Sequence, residues 1–348
     1  MVKMKDVANA AGVSVATVSN VFTGKHFVSP EVRKRVLQAV EDLNYHINLN
    51  AQGLKTSKTR IIGVVLPDIT KLFFNDVLKG IFDTANEMGY KITVLSSNYD
   101  YKLEKECISS LRGTNVDAII LDSCCDYHNL SEWAYELVSY EGKYTPIVSL
   151  ENSMEDSLVS AVTIDSYYWS RNVTKYLISR GRQKILFISG PPTLRHEYDR
   201  LSGYKQALKD SRIKISENLI VSRDFTSNSS YDVVTQALEN RIRFDAVQGS
   251  NDQAAIGAIK ALREHGLRVP EDILVCGFDN IFPSSLVSPG ITTVSVPRYE
   301  IGAEAVRECI RQMEDPSMHP RRIVLNAEII KRASTDANTE TTWDLDYW

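Results

Sequence analysis

Lys5-Asp6-Val7-Ala8-Asn9-Ala10-Ala11-Gly12-Val13-Ser14-Val15-Ala16-Thr17-Val18-Ser19-Asn20-Val21 is the stretch that decides how the chain begins. It reads as two short helices joined by a tight turn, the pattern that places a second helix in the DNA major groove. In the first helix Val7, Ala8 and Ala11 share one face and are small enough for close packing. Gly12 permits the positive φ that ends it, and Ser14 is a good N-cap for the next helix. There Val18 and Val21 turn inward, leaving Val15, Ala16, Ser19 and Asn20 outward. Two exposed apolar residues followed by an amide make a poor solvent face but a serviceable base-reading one. The competing reading is an ordinary helical hairpin at a domain edge.

Ser29-Pro30 opens a third helix, with a serine cap and proline at the first helical position. Val32, Val36, Leu37, Val40 and Leu43 mark its expected buried face, and Arg33, Lys34 and Arg35 lie near its start. Residues 48–58 form a short polar linker. From Ile61 the period changes, and short apolar strands alternate with amphipathic helices. Strands are expected at 61–66, 91–97, 117–121, 146–150, 160–164, 184–189, 219–222, 244–248, 273–278 and 292–296. Helices are expected near 73–89, 102–113, 130–141, 167–181, 200–210, 229–240, 252–266 and 299–314. Such alternation implies parallel sheets in an α/β architecture.

The bulk properties narrow the function. A chain of 348 residues suggests two or three domains. No run of apolar residues is long enough to span a membrane, and the N-terminus is charged rather than signal-like, so a cytoplasmic location is expected. The five cysteines (Cys107, Cys124, Cys125, Cys276, Cys309) form no CxxC pair and no zinc or iron–sulfur spacing, so no metal or cofactor is expected. The net charge of −4 hides an asymmetry: residues 1–60 carry +5 and the remainder −9. A basic module for phosphates is joined to an acidic body that would avoid them. The GxSxG, P-loop and GxGxxG patterns are absent and the six histidines are scattered, so the chain does not read as an enzyme.

The N-terminal stretch resembles the DNA-binding headpiece of the LacI/GalR family of transcriptional regulators. The motif residues are Lys5 to Ala8, Ala11 to Ser14 and Thr17 to Ser19, continued by Phe27-Val28-Ser29-Pro30 and Leu54-Lys55. The similarity then runs to about Thr335. It implies an N-terminal all-α helix-turn-helix headpiece (1–47), a hinge helix and linker (48–60), and an α/β periplasmic-binding-protein-like body (61–335). The body would have two parallel-sheet subdomains, 61–163 with 292–325 and 164–291 with 326–335. Residues 336–348 form a tail.

In the family, base-reading side chains stand at the positions of Val15, Ala16 and Asn20. Val15 and Ala16 would meet thymine methyl groups and Asn20 would pair with adenine. Many members carry arginine at the Asn20 position, so this departure implies an operator shifted away from guanine there. Ser14, Thr17, Ser19, Lys25 and His26 suit backbone or flanking contacts. Lys5, Lys34 and Arg35 suit phosphates and equally a solvated surface. Leu54, followed by Lys55, matches the hinge leucine that wedges into the minor groove. Ile47 replaces the usual proline, and Gly53 inside the hinge helix costs about 1 kcal/mol of helix formation relative to alanine. The resulting expectation is a hinge reluctant to fold; a plain flexible linker is the alternative.

For the body, the resemblance implies an effector pocket built from Phe73, Phe74, Arg200, Phe225, Asn251 and Asp279, with Asp122 and Asp165 as further candidates or helix caps. Asp252 is expected to cap its helix, and His196, beside the pocket, reads first as a surface histidine and second as a residue that tunes effector binding. A carboxylate, an amide, an arginine and aromatics suit a sugar or sugar phosphate, with nucleosides and nucleobases behind. Expected partners are pseudo-palindromic operator DNA, that small-molecule effector and a second copy of the chain. No leucine heptads follow residue 330, which argues against a coiled-coil tetramer. Control by a partner protein, rather than a cleft ligand, is the other reading. A solute-binding protein would share the body but lack the headpiece.

Overall fold

A computed structural model describes residues 2–24, 26–45, 58–140, 144–151 and 158–339. The chain divides into two compact units, Met1–Thr59 and Arg60–Trp348. Lys25, Leu54, Lys55, the hinge positions Ile47 and Gly53, and Trp343, Tyr347 and Trp348 of the tail lie outside the described residues.

The first unit holds helices α1 (Met4–Ala11), α2 (Val15–Thr23) and α3 (Pro30–Asp42). Val7, Ala8, Ala11, Val18, Val21, Val36 and Ala39 form its core. The caps are those expected from the sequence. Gly12 takes φ +63° at the end of α1, and Ser14 Oγ accepts the Thr17 amide at 3.1 Å at the start of α2. Ser29 caps α3 ahead of Pro30. One expectation fails: Leu37 is 46% exposed, and Ala39 takes the inward position. The buried stripe of α3 is Val32, Val36, Ala39, Val40 and Leu43, and Leu37 stands one residue, about 100° of helix, off it.

The second unit contains two parallel sheets. The first has β1 (Ile61–Leu66), β2 (Lys91–Ser96), β3 (Ala118–Leu121), β4 (Ile147–Ser149), β5 (Ser160–Ile164) and, late in the chain, β11 (Arg322–Leu325). Their spatial order is β11-β5-β4-β3-β1-β2. The second contains β6 (Ile185–Ser189), β7 (Ile220–Ser222), β8 (Ala246–Gly249) and β9 (Leu274–Cys276), in the order β7-β6-β8-β9. A short antiparallel ribbon of β10 (Thr293–Ser295) and β12 (Glu328–Ile330) lies where the chain crosses between the halves. Neither β11 nor β12 was expected from the sequence. Their exposed-and-half-buried alternation is short, and partner strands far away in the chain define them.

Helices α4 (Phe73–Glu87), α5 (Tyr101–Gly113), α6 (Leu130–Val138) and α12 (Arg298–Glu314) belong with the first sheet. Helices α7 (Ser166–Ser179), α8 (Arg195–Asp210), α9 (Ser227–Glu239) and α10 (Asp252–Glu264) cover the second, and α11 (Pro283–Leu286) is a single turn. Helix α8 begins five residues earlier than expected, which moves Arg200 from its first turn to its second.

Three helix pairs meet through glycine. A Cβ on Gly302 of α12 would lie 2.0 Å from the Val77 carbonyl oxygen of α4, and one on Gly80 would lie 2.0 Å from that of Tyr299. Gly203 makes the same approach to Tyr167, joining α8 to α7, and Gly257 to Ser227, joining α10 to α9. These backbones touch directly, which only a residue without Cβ allows.

Candidate functional site

Both sheets direct the C-terminal ends of their strands toward one cleft, the usual location of ligands in open α/β sheets. The cleft encloses a cavity of about 60 Å³ of water-accessible space. At roughly 10–15 Å³ per water, this is room for about four to six waters. The first half supplies Phe73 and Phe74 from the start of α4, Asp122 just after β3, and Glu151 just after β4. The second half supplies His196, Arg200, Phe225, Asn251 and Asp279.

Arg200 organises the polar part. It is 3% exposed and donates to the Ser250 carbonyl at 2.7 Å. Three carboxylates share the same guanidinium: Glu197 at 3.4 Å, Asp279 at 3.5 Å and Glu151 at 3.6 Å. The face of the guanidinium lies 3.9 Å from the Phe278 ring centroid, which fixes its plane. Behind it Glu197 is fully satisfied, accepting from the Gly190 amide at 2.8 Å and Ser189 Oγ at 3.1 Å.

Glu151 differs. Its residue is 5% exposed, and neither carboxylate oxygen accepts a hydrogen bond among the described residues. Burial, only partly offset by Arg200 and aggravated by Glu197, pushes its carboxyl up to about 7. Burial likewise lifts Asp279 well above the ordinary carboxylate range, against the pull of Arg200. His196 is held neutral, first by burial and then by the Arg200 charge, and its Nδ1 is without a hydrogen bond among the described residues. The surface reading of His196 is therefore wrong: it sits in the first turn of α8, facing the cavity.

Asp279 has φ +102°, a conformation that is costly for a residue with a Cβ. Two contacts hold it there. Its amide donates to the Val294 carbonyl at 2.9 Å, and its carbonyl accepts from Arg298 Nη1 at 2.7 Å. Arg298, 7% exposed, also pairs with Asp76 of α4 and so ties the two halves together behind the pocket. Nothing in the sequence separates it from the other arginines of an amphipathic helix. Replacing Arg298 by methionine is expected to lower stability by about 3 kcal/mol, because Asp76 and the Asp279 carbonyl lose their buried partner. Chemical denaturation followed by circular dichroism measures it, and an unchanged midpoint would dismiss this anchoring role.

Two expectations require correction. Asn251, not Asp252, is the N-cap of α10: Asn251 Oδ1 accepts the Ala254 amide at 2.7 Å, while Nδ2 donates to the Phe225 carbonyl at 3.3 Å. Asp252 instead holds the crossover, accepting from the Ile281 amide at 2.8 Å and Thr293 Oγ1 at 2.6 Å. Asp165 is exposed and lies outside the cavity lining, because its carboxylate caps α7 through the Tyr168 amide at 2.8 Å. The other candidates, including Asp122, all line the cavity.

Sequence reasoning missed Tyr99, whose ring stacks on Phe225 with centroids 5.8 Å apart and so closes one wall across the two halves. A second bridge lies outside the cavity, where Tyr127 stacks on Tyr198 at 4.7 Å and its amide donates to the Thr193 carbonyl at 2.7 Å. Among the described residues, no group of three or more His, Cys, Asp or Glu is placed to hold a metal ion, and no helix is long and apolar enough to cross a membrane.

On the N-terminal unit, Val15 is 41% exposed and Ala16 is exposed beside it, with Ser19 and Asn20 half-buried at their edge. Thr17 pairs its hydroxyl with Ser14 Oγ at 2.9 Å, so both side chains serve the cap of α2. Lys5 and His26 are exposed. Phe27, 91% exposed, is the aromatic that the packing of this unit leaves bare.

Residues 3–48 match the bacterial regulatory proteins of the lacI family, and residues 174–335 match a periplasmic binding protein-like domain. The HTH-type transcriptional regulator RegA of Clostridium saccharobutylicum is 35% identical over 333 residues, covering 95% of this chain and 98% of that protein. Catabolite control protein A of Priestia megaterium is 35% identical over 341 residues, covering 96% and 99%. Among solved structures, the lac repressor dimer bound to operator and the anti-inducer ONPF superposes with a TM-score of 0.85 at 25% identity, covering 96% of this chain and 99% of that one.

Proposed function

This chain belongs to the lacI family of bacterial regulatory proteins, and from that premise we propose that a small sugar-like effector in the cleft sets its affinity for operator DNA. It is a DNA-binding transcriptional regulator and not an enzyme. The observation that carries the proposal is the state of Arg200 and Glu151, buried polar groups that face a cleft cavity walled by aromatics. A polyhydroxylated ring offers hydroxyls to both and an apolar face to Phe73 and Phe225. The regulator works as a homodimer on a pseudo-palindromic operator, and effector binding shifts the balance between two arrangements of the body. Its place of action is the cytoplasm, where that operator is found.

A thermal-shift panel of pentoses, hexoses, sugar phosphates and nucleosides tests the cleft, with operator affinity measured for each compound that raises Tm. A sugar that raises Tm and changes operator affinity supports the proposal. Silence from every sugar and sugar phosphate overturns it.

The DNA side has its own test. Val15 and Ala16 meet thymine methyls, and Asn20 reads adenine through N6 and N7. In a randomised-operator selection Asn20→Arg is expected to convert the preferred base at one symmetric position to guanine, a discrimination of about 1–3 kcal/mol. An unchanged preferred base at every position would remove Asn20 from the reading surface.

A further inference from the structure

We infer that the effector is an aminated sugar or similar polyhydroxylated amine, whose ammonium group donates to Glu151. The inference rests on the cleft being an effector site and goes further by naming the ligand's charge.

Acidic side chains outnumber basic ones around the cavity. Asp122, Glu151 and Asp279 line the cavity, with Glu197 buried directly behind them. The cations are Arg200 and Lys71, and Lys71 already lies 4.0 Å from Asp68. One guanidinium is therefore shared by Glu151, Glu197 and Asp279. His196 adds no charge, because burial and Arg200 hold it neutral. A buried carboxylate without a matching cation is costly, and that cost appears here as carboxyls of Glu151 and Asp279 raised towards their neutral forms. A cationic ligand beside Glu151 restores its ionised form. A phosphate ester would add negative charge to this group and is disfavoured on the same ground.

Glu151 places the missing cation. Both of its oxygens are buried and accept no hydrogen bond among the described residues, and the nearest Arg200 nitrogen stays at 3.6 Å. An ammonium has three donors and the compact charge to meet a carboxylate at hydrogen-bond distance. The rest of the site requires more than a bare amine. Asn251, Arg200 and the aromatic pair Tyr99 and Phe225 suit a hydroxylated ring.

Matched probes on the full chain test this: glucosamine against glucose, galactosamine against galactose, and mannosamine against mannose, titrated calorimetrically at fixed ionic strength. At least one amine is expected to bind ten times or more tighter than its hydroxyl partner. In Glu151→Gln that preference is expected to vanish, because the amine loses tenfold or more beyond whatever its hydroxyl partner loses. Above pH 7, where Glu151 is ionised, empty Glu151→Gln is also expected to melt higher than the parent, by roughly 2–4 °C, since it no longer buries an unmatched charge. A neutral sugar that equals or exceeds its amine overturns the inference and leaves the sugar-cleft reading standing. So does a Glu151→Gln variant that loses both partners equally or melts lower. If none of the six probes binds, the amine assignment falls; the wider panel of pentoses, sugar phosphates and nucleosides then decides the cleft reading separately.

Discussion

Arg200→Met is expected to weaken effector binding by at least about 30-fold while leaving specific operator recognition in place. The size follows from what the guanidinium does. It is buried, donates to the Ser250 carbonyl, and is the shared counter-charge of three carboxylates. Truncating one member of such a buried, hydrogen-bonded group costs on the order of 2–5 kcal/mol in binding, much of it from the partners left behind. The residues proposed to read bases belong to a separate compact unit and keep their own core. Arg200→Lys separates charge from shape: it keeps the positive charge but not the planar fork, so stability is expected to recover further than affinity. Calorimetric titration with the effector found in the panel, beside a mobility-shift assay of operator, reads both arms. An effector affinity within tenfold of the parent would show that Arg200 is a scaffold for the pocket rather than a ligand contact.

The second large effect is mechanical. Gly302→Ala is expected to lower stability by about 3 kcal/mol and Tm by roughly 6–12 °C. The added methyl would lie 2.0 Å from the Val77 carbonyl oxygen and 2.9 Å from the Ile81 nitrogen, both backbone atoms of α4. A side chain can rotate away from such a clash. A helix backbone must move as a body, and here the body carries Phe73 and Phe74 into the pocket wall. Effector affinity is therefore expected to fall with stability. Gly113→Ala provides the control, since nothing lies within 4 Å of a Cβ placed there, and it is expected to leave Tm unchanged or slightly higher. Equal melting of the two variants would refute the close-packing account.

Residues whose roles are local were the ones legible in the sequence. Gly12, Ser14 and Ser29-Pro30 announce helix ends through their own backbone preferences, and the strands from Ile61 announce themselves by runs of apolar residues. The pocket was legible where it used strand ends and motif residues, as at Arg200, Phe225 and Asp279. It was illegible where the role depends on packing between distant segments. Glu151 follows a three-residue strand and looks like any loop carboxylate until Arg200 arrives from the other half. Arg298 and Tyr99 are hidden for the same reason. The exchange of roles between Asn251 and Asp252 has a different cause. Both residue types cap helices equally well, so only the neighbouring Thr293 and Ile281 decide which one is free to do so.

The glycine-seated helix pairs carry a consequence for pharmacology. Because α4 and α12, α7 and α8, and α9 and α10 lie backbone against backbone, these pairs have little room to shift singly around a guest. On the proposed mechanism the cleft then answers a ligand by changing its angle. A compound that grips one wall, for instance Phe225 and Asn251 alone, has the same affinity for the open and closed forms, and equal affinity shifts no equilibrium however tight the grip. Such molecules would occupy the pocket, block the true effector and leave transcription unchanged. Compounds are therefore expected to differ by reach: those that span both walls act as signals, and those that touch one act as silent competitors.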